Sequence, residues 1–440
     1  MRAAEIVNEI EYLNPLKWLG KITRVVGLTI EAQGPQAAVG EICRIYPAHE
    51  RAPVLAEVVG FKESVIVLMP FSQTEQIYPG SLVESTRKPL EIEVGTGLIG
   101  KVIDGLGRPL DGSELPKGLY KVPVERKAPN PLSRPRITKP LPLGVRAVDS
   151  MLSVGEGQRV GLFAGSGVGK STLMAMFTKY SKADMNVIAL IGERGREVKE
   201  FIEKDLGPDG LKKTIVVVAT SDQSALVRIK GAQTATAIAE YFRDQGKTVN
   251  LMMDSVTRFA MAQREVGLAT GEPPTTKGYP PSVFALLPQL LERSGTSEQG
   301  TITAFYTVLV DGDDMNEPIA DAVRGILDGH FILDRSVANK GHYPALNILK
   351  SSSRLMNQIV SEEHMQAAAI VRQYLATYED TEDLIQVGAY KRGSSEKVDA
   401  AVNIHPEIQA FLRQGTEERT NFMTTIEHLQ TLAKKGSNAR

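Results

Sequence analysis

Apolar and polar positions along this chain change their period three times. Over residues 22–91 the apolar residues come in short runs, at 22–30, 41–46, 54–59, 64–69 and 81–85, with turn signals such as Gly34-Pro35 and Pro79-Gly80 between them. Five or six closely spaced runs of this kind predict a small β-barrel. From 143 to about 343 the runs lengthen and lose their alternation. Those at 158–163, 186–191, 214–219, 249–253 and 301–309 predict buried strands, and stretches with helical spacing, such as 196–205 and 231–245, lie between them. Strands alternating with helices predict a parallel α/β domain. Beyond Arg354 the strand signals stop, and 361–378, 394–403 and 417–435 predict helices.

The expected fold is therefore multidomain α/β: an N-terminal β-barrel (22–91), a central parallel-sheet domain with a preceding connector (92–345) and a C-terminal helical domain (346–440). Residues 123–142, rich in Pro, Lys and Arg, read as an extended connector and not as a basic recognition patch. Ahead of the barrel, residues 1–21 place Ile6, Ile10, Leu13 and Leu16 at near-helical spacing before Trp18. That stripe suits a helix that docks a partner, and equally one that folds back on its own barrel.

Composition narrows the classes. The 440 residues carry a formal net charge of −1, so no global basic field recruits nucleic acid. The barrel strands show no aromatic-plus-basic face either. A single cysteine, Cys43, excludes internal disulfides and cysteine-rich metal sites. It reads as a small buried apolar residue. The six histidines show no ligand spacing. No apolar run approaches a membrane span, and the acidic first residues lack a signal peptide's apolar core, so a cytoplasmic protein is expected, meeting membranes only through partners.

The chemistry concentrates at Ala164-Gly165-Ser166-Gly167-Val168-Gly169-Lys170-Ser171. A predicted strand enters this run, and a helical pattern starting at Thr172 leaves it. In a phosphate-binding loop, glycines let main-chain N–H groups converge on the β-phosphate and the lysine reaches the β/γ oxygens. The serine hydroxyl serves Mg²⁺, and the helix N-terminus adds its dipole. Ala164 stands where the strict pattern has glycine; the Gly-Lys-Ser and its strand–helix context outweigh that departure. A second strand ends on Asp254, a carboxylate suited to the Mg²⁺ shell. A third leads into Gly192-Glu193-Arg194-Gly195-Arg196-Glu197, where Glu193 would polarise water and Arg194 would stabilise γ-phosphate charge. Tyr343 and Arg354 carry no assignment from spacing alone.

Taken together these motifs resemble the rotary ATPase family, which includes the catalytic β-subunit of ATP synthase and the ATPases of type III protein export. The resemblance rests on 164–171, Gly-Glu-Arg-Gly-Arg-Glu-Val (192–198), Met-Asp-Ser-Val-Thr-Arg-Phe-Ala (253–260), Gly-Tyr-Pro-Pro-Ser-Val-Phe (278–284) and Asp-Gly-Asp-Asp-Met-Asn-Glu-Pro (311–318). It extends from about Ile22 to about Phe411, and 321–335 is most similar to the flagellar export branch. The resemblance implies a RecA-like core in a homo-hexamer that hydrolyses ATP with Mg²⁺ at subunit interfaces. Gly165 to Thr172 would hold the phosphates, Ser171 and Asp254 the metal, and Glu193 would be the catalytic carboxylate. Arg194 and Arg258 would lie near the γ-phosphate, Tyr343 would stack on adenine, and Arg354 would be a finger offered to the neighbouring site. Implied partners are a regulatory protein at the N-terminal helix, a coiled-coil central stalk, a membrane export gate and chaperone–cargo complexes, at the cytoplasmic face of the inner membrane. The loop 267–282, with Tyr279, is expected to line a central pore. One departure stands out. Residues 411–416 have no aromatic after Phe411, where the synthase β-subunit has further adenine-facing aromatics, so a looser hold on the base is expected.

Other readings of the same residues are a virulence-secretion ATPase, a rotary-synthase catalytic subunit, an RNA translocase of the transcription-terminator type and a non-hydrolysing scaffold. Glu193 argues against the last, and the near-neutral charge against the RNA translocase.

Overall fold

The computed structural model describes residues 18–47, 52–72, 77–310 and 314–438. The apolar stripe of Ile6, Ile10, Leu13 and Leu16, and Asp311-Gly312-Asp313, lie outside the described residues. Six strands open the fold: β1 (Leu19–Val26), β2 (Thr29–Gln33), β3 (Ile42–Tyr46), β4 (Val54–Lys62), β5 (Val65–Pro70) and β6 (Leu82–Ser85). They close into a barrel in the order β1-β2-β5-β4-β3-β6. Closure leaves no unpaired strand edge. Its interior is filled by the inward residues of each strand, among them Ile22, Ile30, Ile45, Val58, Leu68 and Val83. The single run expected at 22–30 is a hairpin, because Gly27 at φ 55° lets the chain reverse between β1 and β2. Cys43 is fully buried in this interior, where desolvation and then Glu41 push its thiol up to about 12. A thiol so far from ionisation is packing, not a nucleophile.

The link to the core contributes β7 (Glu91–Val94), β8 (Val102–Asp104) and β9 (Tyr120–Pro123). β7 and β9 form a two-stranded ribbon, while β8 joins the edge of the central sheet. That sheet is built from β10 (Arg159–Ala164), β11 (Met185–Ile191), β12 (Thr214–Ala219), β13 (Thr248–Asp254), β14 (Gly295–Thr296), β15 (Thr301–Leu309), β16 (Gly329–Leu333) and β17 (Ser352–Ser353). Its order is β17-β16-β10-β15-β13-β11-β12-β8, with β14 paired off-path to β15. β8, β10–β13, β15 and β16 run parallel; β14 and β17 are antiparallel. Helices cover both faces, which is why β11 is buried along its whole length and is apolar apart from Asn186.

The expected helical stretches are found, with shifted bounds. The helix expected at 231–245 spans Ala225–Asp244, because Ser224 accepts a hydrogen bond from the Val227 N–H and starts it earlier. The stretch expected at 196–205 is an α-helix at Gly195–Glu200 that widens into a π turn over Phe201–Leu206. The C-terminal domain consists of helices Glu362–Gln386, Glu396–Leu412 and Phe422–Asn438. They share one apolar cluster with the helix Arg146–Met151 and the phosphate-loop side of the sheet. On the other side, Lys230 of the core reaches Glu57 Oε2 of the barrel and Glu125 Oε1 of the connector, each at 2.6 Å. Burial works against that ammonium, but the two carboxylates outweigh it and raise its pKa above the ordinary lysine value.

Candidate active site

β10, β13 and β11, with β15 between the first two, end at one edge of the sheet, and each hands its next residues to a crevice there. That edge is where parallel sheets bind ligands. From β10 comes the loop 165–169, with Gly167 at φ 77° and Gly169 at φ 88°, followed by the helix Lys170–Tyr180. These left-handed glycines aim main-chain N–H groups inward and deliver the helix N-terminus to the crevice. β13 ends in Asp254, and β11 is followed by Gly192 and Glu193. The resulting cavity, about 450 Å³ in volume, is lined by Gly165, Ser166, Gly167, Gly169, Lys170, Ser171 and Thr172. Glu193, Arg194, Asp254 and Arg258 also line it.

Lys170 Nζ lies 2.5 Å from Asp254 Oδ1 and 3.8 Å from Glu193 Oε1. The Thr307 hydroxyl donates to Asp254 Oδ1 at 2.8 Å and fixes that carboxylate from β15. Burial, and then the neighbouring charge of Asp254, push the Glu193 carboxyl up to about 7, with Lys170 pulling the other way. Glu193 is thus poised to exchange a proton near neutral pH, as an acid–base or water-polarising group needs. Arg258 lies over Gly192, where even a Cβ would meet its side chain at 2.8 Å, and its Nε is buried with no partner among the described residues. A cluster of inward N–H groups, a lysine and a guanidinium with its Nε unpartnered fits a bound polyphosphate. Ser171 and Asp254 form an oxygen donor pair that fits Mg²⁺.

Four expected residues are placed differently. Val168 is 2% exposed and faces the core, so it offers the crevice only its main chain. Arg194 is at the rim, largely exposed, with its guanidinium on Glu197 Oε1 at 3.3 Å. Tyr343 is outside the cavity wall and 45% exposed; its ring carbons come within 3.5 Å of where a Cβ on Gly169 would be. Its carbonyl accepts the main-chain N–H of Gln414 at 2.9 Å, tying it to the C-terminal domain. Arg354 is absent from the cavity. It follows β17, which pairs with the N-terminal end of β16, so it belongs to the opposite end of the sheet from the phosphate loop. Phe411 is buried in the apolar cluster. Tyr279 is also buried, against Phe284 and beneath Arg264, so its ring does not project from the loop into open space. Thr307, Glu197 and Phe201 were not anticipated. Only Thr307 left a signal, a hydroxyl in an otherwise apolar strand end.

Barrel, parallel core and phosphate loop define a RecA-like P-loop nucleoside triphosphatase. The nucleotide-binding domain of the ATP synthase alpha/beta family matches residues 144–353, that family's beta-barrel domain matches 22–87, and the T3SS EscN ATPase C-terminal domain matches 360–431. The chain is 60% identical to the flagellum-specific ATP synthase of Bacillus subtilis over 98% of its own length and 99% of that protein's. It is 50% identical to the type 3 secretion system ATPase of Xanthomonas euvesicatoria, covering 94% of this chain and 93% of that one. The assembled ATPase EscN of the enteropathogenic E. coli type III secretion system superposes with a TM-score of 0.88 at 46% identity, over 94% of this chain and all of EscN. The chain therefore belongs to the ATP synthase alpha/beta family, in its branch of flagellum-specific and type III secretion ATPases, and is a P-loop ATPase of that branch.

Proposed function

We propose that this ATPase energises export of flagellar proteins through a type III secretion apparatus, with ATP and water converted to ADP and phosphate in the crevice just described. The observation that supports this most is Lys170 held between Asp254 and Glu193 at the mouth of the phosphate loop. When ATP binds, Lys170 would turn from these carboxylates to the β/γ oxygens. The loop N–H groups and Arg258 would take the remaining phosphate charge, and Tyr343 would support the base. Ser171 and Asp254 would hold Mg²⁺, whose chemistry when bound would be neutralisation of phosphate charge. Released from Lys170, Glu193 would orient the attacking water, and Arg194 would swing in from the rim.

No residue of the described crevice plays the part of an arginine finger from the far side, and Arg354 is at the wrong end of its own sheet to do so. A ring of six copies, each offering Arg354 to its neighbour, would complete every site. A finger supplied in trans contributes roughly 10³–10⁵ in rate, so a lone subunit would be a poor ATPase. EscN has been seen assembled and in complex with its central stalk EscO. By analogy a coiled-coil stalk would occupy the centre here. A regulatory partner at residues 1–21, the membrane export gate and chaperone–cargo complexes would bring the ring to the cytoplasmic face of the inner membrane. The 50% identity to a type 3 secretion ATPase supports virulence-type secretion as the second reading.

The test is ATPase rate against protein concentration, for wild type and Arg354→Ala, with and without RNA. Specific activity is expected to rise with concentration, to depend on Arg354 and to ignore RNA. Activity indifferent to concentration and to Arg354 would remove the shared-site ring. Stimulation by RNA would favour a terminator-type translocase.

A further inference from the structure

The residues that hold Arg354 in place belong to the same strand that carries the phosphate loop. β10 begins at Arg159, with Gln158 just before it, and ends at Ala164, where the loop starts. The Gln158 side chain is completely buried and every one of its hydrogen-bonding groups is used. Its Oε1 accepts the Gly155 N–H at 2.8 Å. Its Nε2 donates to the Asp328 carbonyl at 3.1 Å and to Ser353 Oγ at 3.0 Å. The Ser353 hydroxyl in turn donates a hydrogen bond to the Ser153 carbonyl at 2.8 Å. Arg354 follows directly: its main-chain N–H donates to that same Asp328 carbonyl at 3.0 Å, and its Nη2 to the Arg324 carbonyl at 3.1 Å. The next residue of β10 closes the cluster. Arg159 grips the Asp328 carboxylate through its main-chain N–H at 3.1 Å, Nε at 3.1 Å and Nη2 at 3.3 Å.

From this we infer that Gln158, acting through Asp328 and Ser353, is a positioning residue that mounts Arg354 on the root of the subunit's own phosphate-loop strand. The inference rests on the proposal that Arg354 serves the neighbouring site. A buried amide with all its bonds made cannot let go of one partner without stranding a polar group, at a cost that keeps the mount stiff. The strand's six residues span roughly 20 Å. One end grips this subunit's phosphates, and the other sets where its arginine meets the next subunit's. Movement of the loop on nucleotide binding thus has a rigid path to the finger. Ring interfaces of the head-to-tail kind let each subunit play both parts at once.

The experiment uses the full chain with Gln158→Ala and, because that change opens a buried site, also Ser353→Ala, which removes only the partner on the finger side. A displaced finger is expected to cost roughly 10- to 100-fold in kcat, with KM for ATP and the affinity for a fluorescent ATP analogue within about threefold of wild type. Each variant is then mixed one-to-one with Lys170→Ala, whose own site is dead but whose finger is intact; Arg354→Ala is the control. About a quarter of interfaces in random rings pair a working site with a working finger, and activity should return toward that fraction in all three mixtures. Recovery with Arg354→Ala but not with Gln158→Ala or Ser353→Ala would place their defect in the cis phosphate loop and overturn the mount. Unchanged kcat in both variants would overturn it as well. No recovery in the control would remove the trans finger, and the mount with it.

Discussion

Two carboxylates that share one lysine give this site its pH behaviour. Glu193 has its pKa raised to about 7 by burial and by Asp254, so it is largely protonated below that pH and largely ionised above it. Only the ionised form can polarise water. kcat/KM is therefore expected to fall about tenfold per pH unit on an acid limb near pH 7, measured from pH 5.5 to 8.5 as the free-enzyme profile. A flat profile would separate Glu193 from the rate. Glu193→Gln keeps the shape and removes the base, so turnover should drop by about 10²–10⁴ while ATP still binds. Asp254 and Ser171 carry the metal proposal at the same scale. Chelation of Mg²⁺ should abolish turnover, and Asp254→Asn should raise the Mg²⁺ concentration needed for half-maximal rate.

At the scale of elements, the phosphate loop depends on backbone that only glycine adopts without strain. Gly169 is at φ 88°, with the Tyr343 ring 3.5 Å from the position of a Cβ. A left-handed alanine costs about 1–2 kcal/mol before any contact with the ring is counted. Gly169→Ala is expected to weaken ATP-analogue binding by tenfold or more, read by titration, with the melting temperature of the nucleotide-free protein lowered by only a few degrees. The barrel depends instead on packing. Leu68 is fully buried at its centre, and Leu68→Ala should cost about 2–5 kcal/mol in denaturant unfolding, as large-to-small core changes do. Its β-sheet closure leaves no edge through which the lost packing could be recovered.

Across the whole molecule, a buried cation links the barrel to the ATPase core, beside the apolar contacts of Ile42, Met69 and Phe71. Lys230 is 3% exposed in its side chain and carries both Glu57 and Glu125. Truncating it would strand a carboxylate in the interface, and breaking a buried pair of this kind costs about 3–5 kcal/mol. Lys230→Ala should lower stability by that order in thermal or denaturant melts, and the double variant with Glu57→Gln should recover part of it. Full additivity in that cycle would show that the two side chains are not coupled.

The long apolar runs at 186–191, 214–219 and 301–309 were readable as strands because burial on both faces leaves few polar positions in them. The phosphate loop, Asp254 and Glu193 were equally legible, since each follows such a run directly and strand ends carry the chemistry of parallel sheets. β8 and β17 were not, because strands of three and two residues hold too few positions to show a period. Nor could sequence show that Tyr279 and Phe411 are core residues, or that Thr307 steadies Asp254 from the next strand. Those facts depend on contacts between segments far apart in the chain. The local rules of strand, loop and helix thus determined what the site is made of. Only the tertiary structure decided which end of the sheet Arg354 occupies, and that Gln158 joins it to the strand gripping the phosphates, because strand order and register are set by packing and not by the neighbours of any one residue.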